Sequence, residues 1–179
     1  MELLIPLFSA GSLFMLFVSV ILLLVVAVRV FQPKNKQTQK IASTISKNAI
    51  LITFLATAAA TLGSLYLSEV TKFAPCKLCW YQRIFMYPQV VILGIGYFIN
   101  DLKVRIYALV LSIIGFFIAM YHILVQFFPG VFQCSDEVAE CAVTQFVYFG
   151  FITIPVMSAI TFGFIITILL FTFLPQKQK

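Results

Sequence analysis

The chain has 179 residues, 62% of them apolar by type and only 10% charged, with a formal net charge of +6 and a mean hydropathy of +1.07. So few charges cannot cover the surface of a water-soluble domain of this size, so the composition excludes that class and makes a bilayer the natural solvent. The basic balance does not mark a nucleic-acid binder either, because the cations gather beside apolar runs, as membrane topology requires.

Five runs are each long enough to cross about 30 Å of hydrocarbon, which takes roughly 20 residues. They are Leu4–Phe31, Ala49–Ser68, Trp80–Ile99, Val104–Phe127 and Phe146–Leu174. Their continuity predicts helices and not the alternating strands of a barrel. The expected fold is an all-α integral membrane protein: a four-helix transmembrane bundle plus one additional N-terminal transmembrane helix. The first run is too long for a signal peptide and has no basic segment before it, Glu2 being the only early charge. It reads as a retained helix over residues 1–31, and its lack of a hydroxyl stripe suggests a peripheral position. Residues 32–48 are polar and basic and predict a mobile or surface-lying cytosolic linker, leaving 49–179 as a compact four-helix unit. The second run carries Thr53, Thr57, Thr61, Ser64 and Ser68 three or four apart, with Ala56 and Ala60 close by. Such a stripe predicts close helix packing in lipid.

Arg29, Lys34, Lys36, Lys40 and Lys47 flank or occupy the first connection, Lys103 and Arg105 the third, and Lys177 and Lys179 end the chain. Alternating spans put these on one side. Lys72, Lys77 and Arg83 fall on or near the other, with Asp136, Glu137 and Glu140. The asymmetry predicts an external N-terminus and a cytosolic C-terminus.

All four cysteines fall on the external side, as C-x2-C (Cys76, Cys79) and C-x6-C (Cys134, Cys141). The even count and one-sided placement argue that they act as pairs in an oxidising compartment. A structural disulfide is a serious reading of Cys134 and Cys141. It explains Cys76 and Cys79 less well: Pro75 precedes them and Trp80 onward reads as helix, so they sit across a helix N-terminus, where a thiolate is stabilised. Arg83 lies one turn beyond Cys79, about 6 Å deeper, where an arginine must snorkel or pair. A fixed cation beside a thiolate suits a membrane quinone under reduction, whose developing charge it would stabilise. His122, the single histidine, lies about 7–8 Å below the external end of the fourth run and could donate to a quinone or move protons. A four-cysteine zinc site and a transporter stapled by disulfides are the rivals. Zinc would leave Arg83 unexplained, and the spans lack the intramembrane acids that often mark ion paths.

The stretch "PCKLCWYQRIFMYP", with "YHILVQFFPGVFQC" and "FGFITIPVMS", resembles the DsbB/BdbC family of membrane thiol–disulfide oxidoreductases, especially its shorter BdbC-like branch. The similarity covers roughly Ala49 to Leu174. It implies a protein of the prokaryotic cell membrane that reoxidises an extracytoplasmic thioredoxin-fold thiol oxidase of the DsbA/BdbD type. The electrons would pass to a quinone, ubiquinone or menaquinone. The resemblance makes Cys134–Cys141 the exchange disulfide, with Cys134 favoured for attack, and Cys76–Cys79 the next electron acceptor, with Cys79 facing the quinone. Arg83 would bind the quinone oxygen and support the Cys79 thiolate, with Gln82 and His122 in the surroundings. Two features depart from the pattern: the extra first helix, and a spacer between Cys134 and Cys141 shorter than in the longest members. Vitamin K epoxide reductase is also similar in joining cysteine pairs to a quinone, but its C-x-x-C typically follows the loop cysteines, the reverse of the order here.

Overall fold

The computed structural model describes residues 4–31, 36–129, 131 and 141–173. Five helices cover most of them: α1 Leu4–Phe31, α2 Lys36–Leu65, α3 Lys77–Phe98, α4 Val104–Phe127 and α5 Ile154–Phe173. A single π turn, Tyr66–Val70, extends α2. Four segments, Ile5–Val28, Gln37–Val70, Val104–Phe127 and Ile154–Phe173, are long and apolar enough to cross a membrane. The exception, α3, has 22 residues, about 33 Å of helix, so its length suffices. Gln82, Arg83 and Gln89 dilute its apolar character. The protein is an all-α, multi-pass membrane protein.

Helices α2, α3, α4 and α5 pack around a ring, each against the next, and α5 closes it against α2. Helix α1 stands outside this four-helix bundle, resting mainly on α5 and only slightly on α2. The burial of the spans follows: 17% of the α1 window is buried against 61% for α5, so α1 is peripheral and α5 central. α1 nonetheless has a hydroxyl seam that the sequence reading missed. Ser9, Ser12 and Ser19 are buried, each returning its hydroxyl to the carbonyl four residues earlier, which lets small side chains face protein without an unpaired donor.

Two element boundaries differ from the sequence expectation. Residues 36–48, expected as part of a linker, are the first turns of α2. No glycine or proline interrupts the chain between Pro33 and Gly63, and Thr38, Ala42 and Ala49 are buried along this stretch, so the polar segment has both the backbone freedom and a packing face for a helix. At the other boundary, residues 146–153 are apolar but not helical. Phe149 (φ 52°) and Gly150 (φ 79°) turn the chain left-handed, Tyr148 and Ile152 bridge across that turn, and α5 starts only at Ile154.

The hydroxyl stripe of α2 divides into two uses. Thr53 and Thr57 are fully buried and bond back to their own helix, as close packing requires. Ser64, nearer the cysteines, bonds to another helix instead. In the bundle interior, Phe162 of α5 lies so close to Gly115 of α4 that any Cβ there would overlap its ring. Ser112 donates to Gln89 Oε1 at 3.0 Å, a buried polar link between α3 and α4.

Candidate functional site

The chain leaves α2 through the π turn, reverses at Lys72 (φ 60°), and enters α3 at Cys76. Cys76 is the N-cap, in extended conformation (φ −69°, ψ 170°), and its sulfur accepts the Cys79 backbone N–H at 3.4 Å. A cysteine thus occupies the position where a helix presents unpaired donors and positive dipole. Its sulfur lies 3.2 Å from Cys79 Sγ; both are free thiols. Cys141 is disulfide-bonded, and Cys134 lies outside the described residues.

His122 occupies the junction. Its Nε2 lies 3.6 Å from Cys76 Sγ and 3.2 Å from the Cys141 carbonyl oxygen, while Nδ1 lies 3.1 Å from Gln82 Nε2. With the Gln82 amide donating to Nδ1, the ring proton is fixed on Nε2, facing both the carbonyl and the sulfur. Cys76, Leu78, Val125 and Cys141 form one buried cluster, so the two cysteine pairs meet through Cys76 and Cys141. Cys76, at the helix start outside the span, has its thiol held down at about 4. The Cys79 side-chain hydrogen bond does most of this. Burial opposes it, and His122 and the Cys79 N–H assist. The negative charge of the dithiol therefore belongs on Cys76.

Arg83 does not snorkel. Its Nε donates to Ser64 Oγ and its Nη2 to the Ser64 carbonyl, both at 3.1 Å, and Tyr87 donates to the same Oγ. The guanidinium carbon lies 5.3 Å from the Trp80 ring centroid and 6.0 Å from that of Tyr87, close enough for cation–π attraction. Nη1 has no hydrogen-bond partner among the described residues. Arg83, Gln82, Cys79, Cys76 and His122 all line one cavity of about 230 Å³. Its remaining wall is mainly apolar, from α1, α2 and α5.

Helix pair, histidine and loop cysteine lie in one cluster, and comparison with known proteins gives the chain a family. Residues 46–172 match the family model described as disulfide bond formation protein DsbB. The chain belongs to the DsbB family. Disulfide bond formation protein C of Bacillus subtilis (strain 168) is 48% identical over 123 residues, 67% of this chain and 86% of the relative. The SPbeta prophage-derived disulfide bond formation protein B of the same organism is 40% identical over 133 residues, 74% and 90% of the two chains. A probable disulfide formation protein of Chlamydia muridarum is 45% identical over 111 residues, 62% and 82%. No solved structure matches. As a DsbB-family protein, the chain is a membrane thiol–disulfide oxidoreductase.

In this DsbB-family site, Cys76, Cys79, Cys141, Gln82 and His122 are gathered within a few ångströms, and Arg83 shares their cavity. Two contacts add to the expected arrangement: Arg83 is bonded to Ser64, and His122 lies against Cys76. The sequence reading missed Ser64 and Tyr87 as partners of Arg83. Spacing on α2 exposed Ser64 as a small hydroxyl, but only packing reveals which cation it meets. The ligand atoms of Cys76, Cys79 and His122 also lie within 4.8 Å of one another, a set able to hold a metal ion. Cys141, tied in a disulfide, does not offer the fourth thiolate of a four-cysteine site.

Proposed function

We propose that the protein reoxidises a thioredoxin-fold dithiol oxidase outside the cell membrane and passes the electrons to a membrane quinone. The observation that carries this reading is the position of the Cys76–Cys79 dithiol, with Cys141 packed on one side and a mostly apolar cavity on the other. The basic residues around Lys40, Lys47, Lys103 and Arg105 favour the cytosol for the opposite end, so the cysteine end faces outward in a prokaryotic cell membrane. A partner dithiol would first reduce Cys134–Cys141 and leave as a disulfide. The Cys141 thiolate would then attack Cys76 of the oxidised helix pair, releasing Cys79 as thiolate. Cys134 would close on Cys141, restoring the loop disulfide and leaving Cys76 and Cys79 reduced. A quinone supplies the acceptor for two electrons and two protons. Cys76 and Cys79 close to a disulfide as they leave. The free Nη1 of Arg83 and the Gln82–His122 pair are the polar groups available to hold an acceptor oxygen and relay protons.

The redox state of all four cysteines, read by alkylation mass shift before and after quinone is added, tests the reading. Quinone should convert Cys76 and Cys79 from alkylatable to protected without changing the loop pair. Reduced protein that quinone leaves alkylatable would reject it. The three-ligand cluster supports a second reading, zinc storage or structural zinc. Stoichiometric zinc retained through dialysis against chelator, with both thiols protected in the absence of oxidant, would favour it.

A further inference from the structure

We propose that α1 forms the outer wall of the acceptor cavity and contacts the ligand bound there, a quinone ring with the first part of its apolar tail. The proposal rests on the quinone reading and adds to it a helix that lies before the matched family segment, which starts at residue 46.

The cavity has two unlike faces. One carries Cys79, Gln82, Arg83 and His122. The other is built by Leu7, Phe8, Gly11, Ser12 and Met15 of α1. These five recur at helical spacing, a single stripe covering about 12 Å of the axis. The stripe is packed at both ends. At one end, Phe8 packs on Gly63, where an added Cβ would come within 3.3 Å of its ring, and faces Tyr66 with centroids 6.1 Å apart. At the other, Met15 packs on a cluster built from both α2 (Ala49, Ala56) and α5 (Phe164, Ile168). Between these points Gly11 of α1 lines the cavity, as do Ala59 and Ala60 of α2.

Gly11 is exposed and lines the cavity without packing on another helix. Glycine within a helix costs about 1 kcal/mol relative to alanine, and in membrane helices close approach commonly compensates. Among the described glycines, Gly63, Gly94, Gly96, Gly115 and Gly163 each meet a neighbour where a Cβ would go. Gly150 meets none but has φ of 79°. Gly11 has neither reason: an added Cβ meets nothing within 4 Å, and its backbone is ordinary helix. The space beside it is open to the cavity and to the outside of the bundle, leaving room for a ligand. A mainly apolar wall in the same cavity as a dithiol and a guanidinium suits a flat ring whose oxygen meets the polar groups while its tail runs along α1.

The test is a graded series in the full-length protein, Gly11→Ala, Gly11→Leu and Gly11→Phe, with Ala10→Phe as control. Ala10 is exposed and lies off the cavity wall. Two readouts are taken: KM for quinone in reoxidation of the helix pair, and quenching of Trp80, the single tryptophan, by added quinone. KM and half-quenching concentration should rise with side-chain volume, by at least tenfold for Gly11→Phe. Single-turnover exchange between a reduced thioredoxin-like partner and the loop disulfide should stay unchanged, as should Ala10→Phe in every assay. A Gly11→Phe protein with wild-type KM overturns the proposal, as does a loss already complete at Gly11→Ala, which would mark a structural glycine. Failure of the quinone reading itself looks different: wild type would be neither reoxidised nor quenched.

Discussion

The two ends of the bundle are built from the same helices and obey opposite rules. Away from the cysteines, glycines serve close packing around one buried polar link: Phe162 fills the space over Gly115, Gly96 abuts Val104, and Ser112 bonds Gln89. At the cysteine end, glycine and alanine face a cavity, and polar groups bond between helices: His122 to Gln82, Arg83 to Ser64. Small residues at one end bring helices together, and at the other they hold a space open. Composition alone cannot distinguish these uses, because Gly11 and Gly115 are both glycines in apolar helices.

The largest expected effect breaks the cysteine end alone. Cys79→Ser should lower quinone-dependent turnover by more than about 10³-fold, because a dithiol that cannot close to a disulfide cannot release two electrons. Thermal unfolding should hardly move, since Cys79 is only partly buried. Turnover within tenfold of wild type would remove the helix pair from the electron route. Arg83→Ala ranks next. Loss of a positioned cation at a site of developing charge costs about 10²–10³-fold, expected here in quinone-dependent reoxidation. Exchange at the loop disulfide, measured with a reduced partner in single turnover, should remain.

Much of this arrangement could be read from the sequence, and the gaps have physical causes. The bounds of α1 and α4 follow from apolar length alone. The start of α2 does not, because a polar segment becomes helix only where buried Thr38, Ala42 and Ala49 give it a face to pack. The start of α5 is hidden in the run from Phe146 because apolar residues spell a turn as readily as a helix until a left-handed φ at Phe149 and Gly150 is seen. The cysteine pairing with a helix N-terminus and the comparable depth of Arg83 and His122 were accessible from spacing. Their partners were not: Ser64 lies 19 residues from Arg83, and His122 lies 46 residues from Cys76. Such separations are closed only by tertiary packing.

A titration sharpens the comparison inside the helix pair. Cys76 is held at about 4, so in reduced protein it is mainly thiolate at neutral pH. Its alkylation by iodoacetamide should be on plateau by pH 6 and fall only as pH drops through about 4. An unperturbed thiol would instead keep gaining rate through about pH 8.5, its ordinary pKa. Because His122 is among the causes that lower it, His122→Leu should move the fall to higher pH. A rate that keeps climbing from pH 6 to pH 9 in wild type would take the thiolate away from Cys76.

Gly115→Ala carries the smallest effect and tests whether the two ends are separable. The added methyl must enter space held by the Phe162 ring, and Phe162 is fully buried, so the ring has no route outward. Overpacking of this kind costs about 1–3 kcal/mol, read as a lower unfolding midpoint in detergent or lipid. Gly115 lies seven residues before His122 on α4, about 10 Å along the helix, and it does not line the cavity. Turnover per folded molecule and KM for quinone should therefore match wild type. A changed KM with unchanged stability would mean that the packed end sets the shape of the cavity, and the closed and open ends would then be one mechanical unit.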